Sequence, residues 1–169
     1  MESQPNLAAD LARIALQEER LQFDHFTAET AWELGSRLRE AVKARRGAAA
    51  IDIQLAGQPL FFLAMPGTTP DNGEWIRRKR NTTLHFHRSS YAVGLRLQQN
   101  QTTLSDRYGL SNQNYASHGG SFPLWLKGTG CMGAITVSGL PQREDHSLIV
   151  AVLANWLKLP IDELALDER

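Results

Sequence analysis

Ser138 and Gly139 close an apolar run, and Asp145 and His146 open the amphipathic stretch that follows. A hydroxyl, a glycine turn, a carboxylate and an imidazole at one strand-to-helix corner can hold a small oxygenated ligand. Glycine lets the backbone approach closely, and the unpaired amides at a helix start attract an anion or carboxylate. Asp145 stands three residues before Leu148 and four before Ile149, so it projects near the buried face, one turn closer to the helix start. Two roles are open to it: a capping carboxylate, or a cleft group that hydrogen-bonds a ligand. His146 is turned by about 100° around the helix axis from Asp145, so the two form no automatic dyad. A surface role fits it better than a catalytic one, and it stays among the candidate ligand-binding residues. Ser138 is not an activated nucleophile, because its surroundings are not Gly-x-Ser-x-Gly.

Other candidates lie upstream. His118 precedes Gly119-Gly120, and the glycines permit close approach, so it suits the edge of a pocket; the alternative is a loop histidine satisfied by backbone. Trp75, Lys79, Thr82 and Thr83 fall near one another on a helical wheel, which makes Lys79 a candidate ligand-facing cation with its stem on apolar neighbours. The surrounding cluster, Arg77 to Arg80, has Glu74 three residues before Arg77 and reads as a solvated helix face or a subunit contact. His85-x-His87 falls at a helix end, where the two rings point apart, and no cysteine or carboxylate stands at zinc spacing, so no metal site is expected.

These groups need elements to place them. The chain has 169 residues, enough for one domain that buries roughly 70% of its unfolded surface. Residues 7–20 carry apolar positions at helical spacing, and a second helix follows from a Thr27 cap to Gly47. Ile51, Ile53 and Leu55 alternate with Asp52 and Gln54 as a half-buried strand, Gly57-Gln58-Pro59 turns the chain, and Leu60 to Met65 returns as a central strand. Helices are expected from Gly73 to Phe86 and from Tyr91 to Gln98, then an ordered loop or short helix over 99–120. Strands at 122–127 and 131–138 precede the last helix, where Leu148, Val152 and Trp156 and, beside them, Ile149, Leu153 and Leu157 form two rows spaced by four. Hairpins separated by helices imply an α+β fold with a mostly antiparallel sheet, and no Gly-x-Gly-x-x-Gly follows a strand.

Eighteen basic and eighteen acidic residues cancel, which favours neither nucleic acid nor an anionic membrane as partner. The single cysteine, Cys131, sits in an apolar strand and reads as a small buried hydrophobe. The N-terminus lacks a signal-peptide pattern, and the longest apolar run, Leu148 to Leu153, is too short to span a bilayer. A reducing, cytoplasmic location is the expectation.

Gly120-Ser121-Phe122-Pro123 through Gly133-Ala134-Ile135-Thr136-Val137-Ser138-Gly139, followed by Asp145, resembles the heme-degrading-domain family of GlcG and HbpS proteins, and Arg78-Lys79-Arg80-Asn81-Thr82 matches its helix pattern. The likeness covers roughly residues 27–158; Thr136 stands where the family usually has glycine, and the helix at about 7–20 is extra. The resemblance implies one profilin-like domain over 1–169, an α/β/α layered fold with the sheet flanked by helices, and assembly into homo-oligomers. It also implies heme as the first candidate ligand, since some relatives bind heme and one secreted relative degrades it. The expected site lies between the Lys79 helix and the Ser138-to-Asp145 corner, with Lys79, Thr82, His118, Gly120, Ser138, Gly139, Asp145 and His146 as ligand-binding residues. The alternatives are an enzyme acting oxidatively on heme or a small oxygenated metabolite, and a scaffold with an apolar subunit surface involving Trp75, Trp125 or Trp156.

Overall fold

The computed structural model describes residues 6–168. Helices α1 (Leu7–Arg20) and α2 (Ala28–Ala44) lead into the hairpin β1 (Ala50–Leu55) and β2 (Gln58–Ala64). Helices α3 (Pro70–Phe86), α4 (Ser90–Gln99) and the short α5 (Leu104–Tyr108) follow. A second hairpin, β3 (Ser121–Leu126) and β4 (Gly130–Ser138), runs into α6 (Gln142–Trp156), and a 3₁₀ turn at Ile161–Glu163 ends the order. The four strands form one antiparallel sheet in the order β2-β1-β4-β3. Phe23 adds a single parallel bridge to Leu126 at the β3 edge.

Local chemistry sets the ends of these elements. Thr27 caps α2 by accepting the Thr30 N–H (3.2 Å), and Pro70 occupies the first turn of α3, where its missing N–H leaves nothing unpaired. The first hairpin turns at Ala56-Gly57, both at positive φ (51° and 78°), one residue earlier than the Gly57-Gln58-Pro59 turn expected from the sequence. Paired positive φ values match the right-handed twist of the flanking strands.

The sheet has two chemically different faces. Ile51, Ile53, Phe122, Leu124, Ile135 and Val137 point to one side, where α2 and α6 cover them with Leu34, Leu38, Leu148, Ile149 and Leu153. The other face carries Asp52, Ser121, Thr136 and Ser138, all buried, under α3. There Thr83 Oγ1 donates to Ser121 O (3.2 Å), the hydroxyls of Ser121 and Thr136 lie 2.9 Å apart, and Arg80 meets Asp52 at 2.9 Å. Asp52, expected on a half-buried strand, is thus covered, and burial pushes its carboxyl up even beside Arg80. Buried polar groups of this kind persist when hydrogen-bonded, as the side chains of Asp52, Ser121 and Thr136 are.

Cys131 is half-buried near the turn end of β4 rather than in the core, because its side of the strand has run past the covering helices; burial still pushes its thiol up. The N-terminal helix α1 packs on α4 through Leu11, Ile14, Tyr91, Ala92 and Leu95. No helix among the described residues is long and apolar enough to cross a membrane.

Candidate functional site

The corner between β4 and α6 is built around Gly139. A Cβ there would stand 2.1 Å from Ala48 O and 2.6 Å from Ala49 Cα, so no other residue fits without moving backbone. The loop through Pro141 brings Asp145 back under the corner. Its Oδ1 accepts the Leu140 N–H (3.0 Å) and its Oδ2 the Gly139 N–H (3.4 Å). Lys79, reaching across from α3, donates to the same Oδ2 (3.1 Å) and to Val137 O (3.3 Å). Gly120 gives the ammonium its room: at φ 129°, a Cβ would lie 2.4 Å from Val137 O and 2.8 Å from Lys79 Nζ.

Lys79, Gly120, Ser138, Gly139 and Asp145 therefore meet at one point, although the corner amides are not bare. Asp145 takes them itself, so the carboxylate caps the turn and holds the cation together. Side-chain exposures of 4% for Lys79 and 1% for Asp145 leave the pair almost dry. Burial pushes the Lys79 ammonium down and the Asp145 carboxyl up, and their mutual attraction opposes both shifts.

Outside this pair lies an open concavity of about 280 Å³, walled by Trp75, His118, Ser138, Leu140 and Gln142, with Lys79 and Asp145 behind them. His118 is solvent-exposed and packs edge-on against Trp75 (centroids 5.0 Å apart), while Arg78 lies 4.3 Å over the other ring. Partial burial, then the Lys79 and Arg78 charges, hold the His118 pKa below its ordinary value, so the ring is neutral at pH 7. Gln142 Oε1 accepts the Gly119 N–H (3.0 Å), and Asn72 links Thr69 N (3.0 Å) to Ser138 O (3.3 Å).

Two expected residues stand elsewhere. Thr82 is buried one turn along α3 and donates to Arg78 O (3.2 Å), off the concavity wall. His146 is fully buried on the far side of α6, against Tyr91, Phe122 and Gln17. His85 sits in the last turn of α3 and His87 beyond it at φ 55°, and no cluster among the described residues could hold a metal ion. Sequence reasoning missed Asp71, Asn72 and Gln142 as wall residues. Gln142 reaches the site through Gly119, 23 positions away, and no local signal encodes that contact.

A three-layer α+β domain with a ligand-sized hollow at a glycine corner is the class these observations define. The chain belongs to the family described as "Haem degrading protein HbpS-like", which matches residues 26–154. A UPF0303 protein of Serratia proteamaculans (strain 568) is 58% identical over 156 residues, 92% of this chain and 97% of the relative. Among solved structures, the Ybr137w protein is similar at TM-score 0.81 and 32% identity, covering 88% of this chain and 87% of that one. A PduOC:heme complex is similar at TM-score 0.66 and 17% identity, covering 76% and 93%, and at that identity it speaks for the fold alone.

Proposed function

We propose that the protein binds a small oxygenated ligand in the concavity between α3 and the Ser138–Asp145 corner, and that heme is the ligand to test first. One observation carries the reading. Around a hollow of about 280 Å³, the Asp71 carboxylate, the His118 ring, the Ser138 hydroxyl and the Gln142 amide nitrogen have no hydrogen bond to any other described residue. Convergent unused polar groups beside an aromatic wall are the makings of a small-molecule site. The volume lies near the lower end for such sites, roughly 300–1,000 Å³. It seats a small metabolite whole or a porphyrin by one edge.

The donor set fits heme in that edge-on sense. His118 is neutral and can offer nitrogen to iron, Trp75 presents a flat ring, and Arg78 over Trp75 is a guanidinium available to a propionate. Lys79 is already paired, so its part is to keep the floor rigid and electrically balanced. Bound heme would supply iron redox chemistry. The family description favours a second reading, oxidative heme breakdown with an external reductant and dioxygen. Assembly into homo-oligomers belongs to the same proposal: β2 is an open sheet edge, and Trp32 (64%) and Phe62 (56%) are exposed on it and on α2.

Titration with ferric heme tests the reading. The Soret band is expected to shift saturably, and His118→Ala to change the shift while His85→Ala and His87→Ala leave it alone. No shift in the wild-type protein removes heme. Bleaching that requires both reductant and oxygen, faster than for free heme, would support the second reading, and a rate equal to that of free heme would remove it.

A further inference from the structure

The C-terminal end of α3, with α4 and α5, encloses a second hollow of about 130 Å³ that shares no lining residue with the Lys79 concavity. Its floor comes from a satellite core separate from the sheet, in which Val93, Leu97 and Leu104 pack with Phe86. Ala92 and Arg96 are four apart on α4 and so lie on one face. The small side chain leaves the space, and the long one reaches its rim. Tyr108 closes the side, edge-on to Phe86 with centroids 4.9 Å apart.

The rim is cationic and one-signed. Arg88, Arg96 and Arg107 line the hollow, and no acidic residue does. Arg88 is neutralised by Glu18. Arg96 donates only to Gln99 Oε1 (3.0 Å), and Arg107 lies 5.7 Å from the Tyr108 ring; neither has a carboxylate partner among the described residues. Two guanidiniums without acids beside an apolar hollow call for an anion with an apolar body. A guanidinium fork matches a carboxylate, and an apolar cavity of about 150 Å³ takes a benzene ring.

We propose that this hollow is a second ligand site, for a small carboxylate carrying one aromatic ring. The ring lies on Phe86, Val93 and Leu97, and the carboxylate is held by Arg96 and Arg107. Inorganic phosphate would satisfy the arginines and leave the floor unused, and a neutral ring would do the reverse. The inference is independent of what occupies the Lys79 concavity.

Amide chemical-shift titrations of the full chain with benzoate, benzyl alcohol and inorganic phosphate test it. Benzoate is expected to give saturable shifts centred on residues 86–108, with a dissociation constant of about 1 mM, as befits so small a ligand. Benzyl alcohol and phosphate are each expected to bind about tenfold more weakly or worse. Arg96→Gln and Arg107→Gln are exposed changes that leave the fold intact, and each should weaken benzoate about tenfold, the loss of one charge-assisted contact. Equal affinity for benzoate and benzyl alcohol, phosphate binding as tightly as benzoate, shifts centred elsewhere, or no saturable shift would each overturn the proposal.

Discussion

Complete burial leaves His146 with one hydrogen bond, 2.8 Å to Gln17 Oε1. Gln17 Nε2 donates to Leu164 O (2.7 Å), so Oε1 faces the ring and the imidazole donates from Nε2. Nδ1 has no partner among the described residues. Desolvation first, and then the Arg143 charge, push the His146 pKa down to about 3. The folded chain therefore keeps this ring neutral through mild acid, while the unfolded chain protonates it near pH 6.5. Stability from this group is complete above about pH 6.5 and is lost progressively as pH falls towards 3, at about 1.4 kcal/mol per pH unit. Denaturant unfolding between pH 7 and 4 should show that slope, and His146→Gln, although less stable at pH 7, should show a shallower one. Equal slopes would mean that the ring is protonated in the folded protein. From its place beside Asp145, a surface role was the natural expectation for this residue. The 3.6-residue period says that it turns away from Asp145, and nothing local says that α1 covers it.

At the scale of elements, Lys79 and Asp145 tie α3 on one side of the sheet to α6 on the other. Removing one partner of a buried pair strands the other, at about 3–5 kcal/mol, whereas removing both charges costs far less. Lys79→Met is expected to lose that amount in chemical denaturation. Lys79→Met with Asp145→Asn should recover at least half, because an asparagine carbonyl can still accept the Leu140 N–H. A double variant as unstable as the single one would show that the charge on Asp145, rather than its pairing, holds the corner. The elements themselves were largely legible. Rows spaced by four mark α6, and alternation at Ile51, Ile53 and Leu55 marks β1 with its apolar side. Alternation cannot say whether the polar side faces water or another helix. Asp52 reads as the polar side of a half-buried strand, and it is buried, with Ser121 and Thr136 beside it, because α3 brings Arg80 to Asp52 and Thr83 to Ser121. The convergence of Lys79 with Asp145 could be guessed from a wheel and a turn. The Asn72 and Gln142 contacts are long-range and could not.

Over the whole molecule, the family match begins at residue 26, so α1 lies before it. That helix is fastened through Gln17 to His146 and Leu164, and through Asp10 to Arg143 (2.8 Å). These bonds fasten α1 to the first turns of α6, beside the helix start that carries Asp145. Native mass spectrometry of the protein taken directly from cells, wild type beside Trp75→Ala/His118→Ala, puts the account to its most direct test, since it weighs assembly and retained ligand together. An oligomer carrying a small-molecule mass is expected, a mass that the double variant loses without losing its assembly. A retained ligand whose occupancy is untouched by those two changes would contradict it.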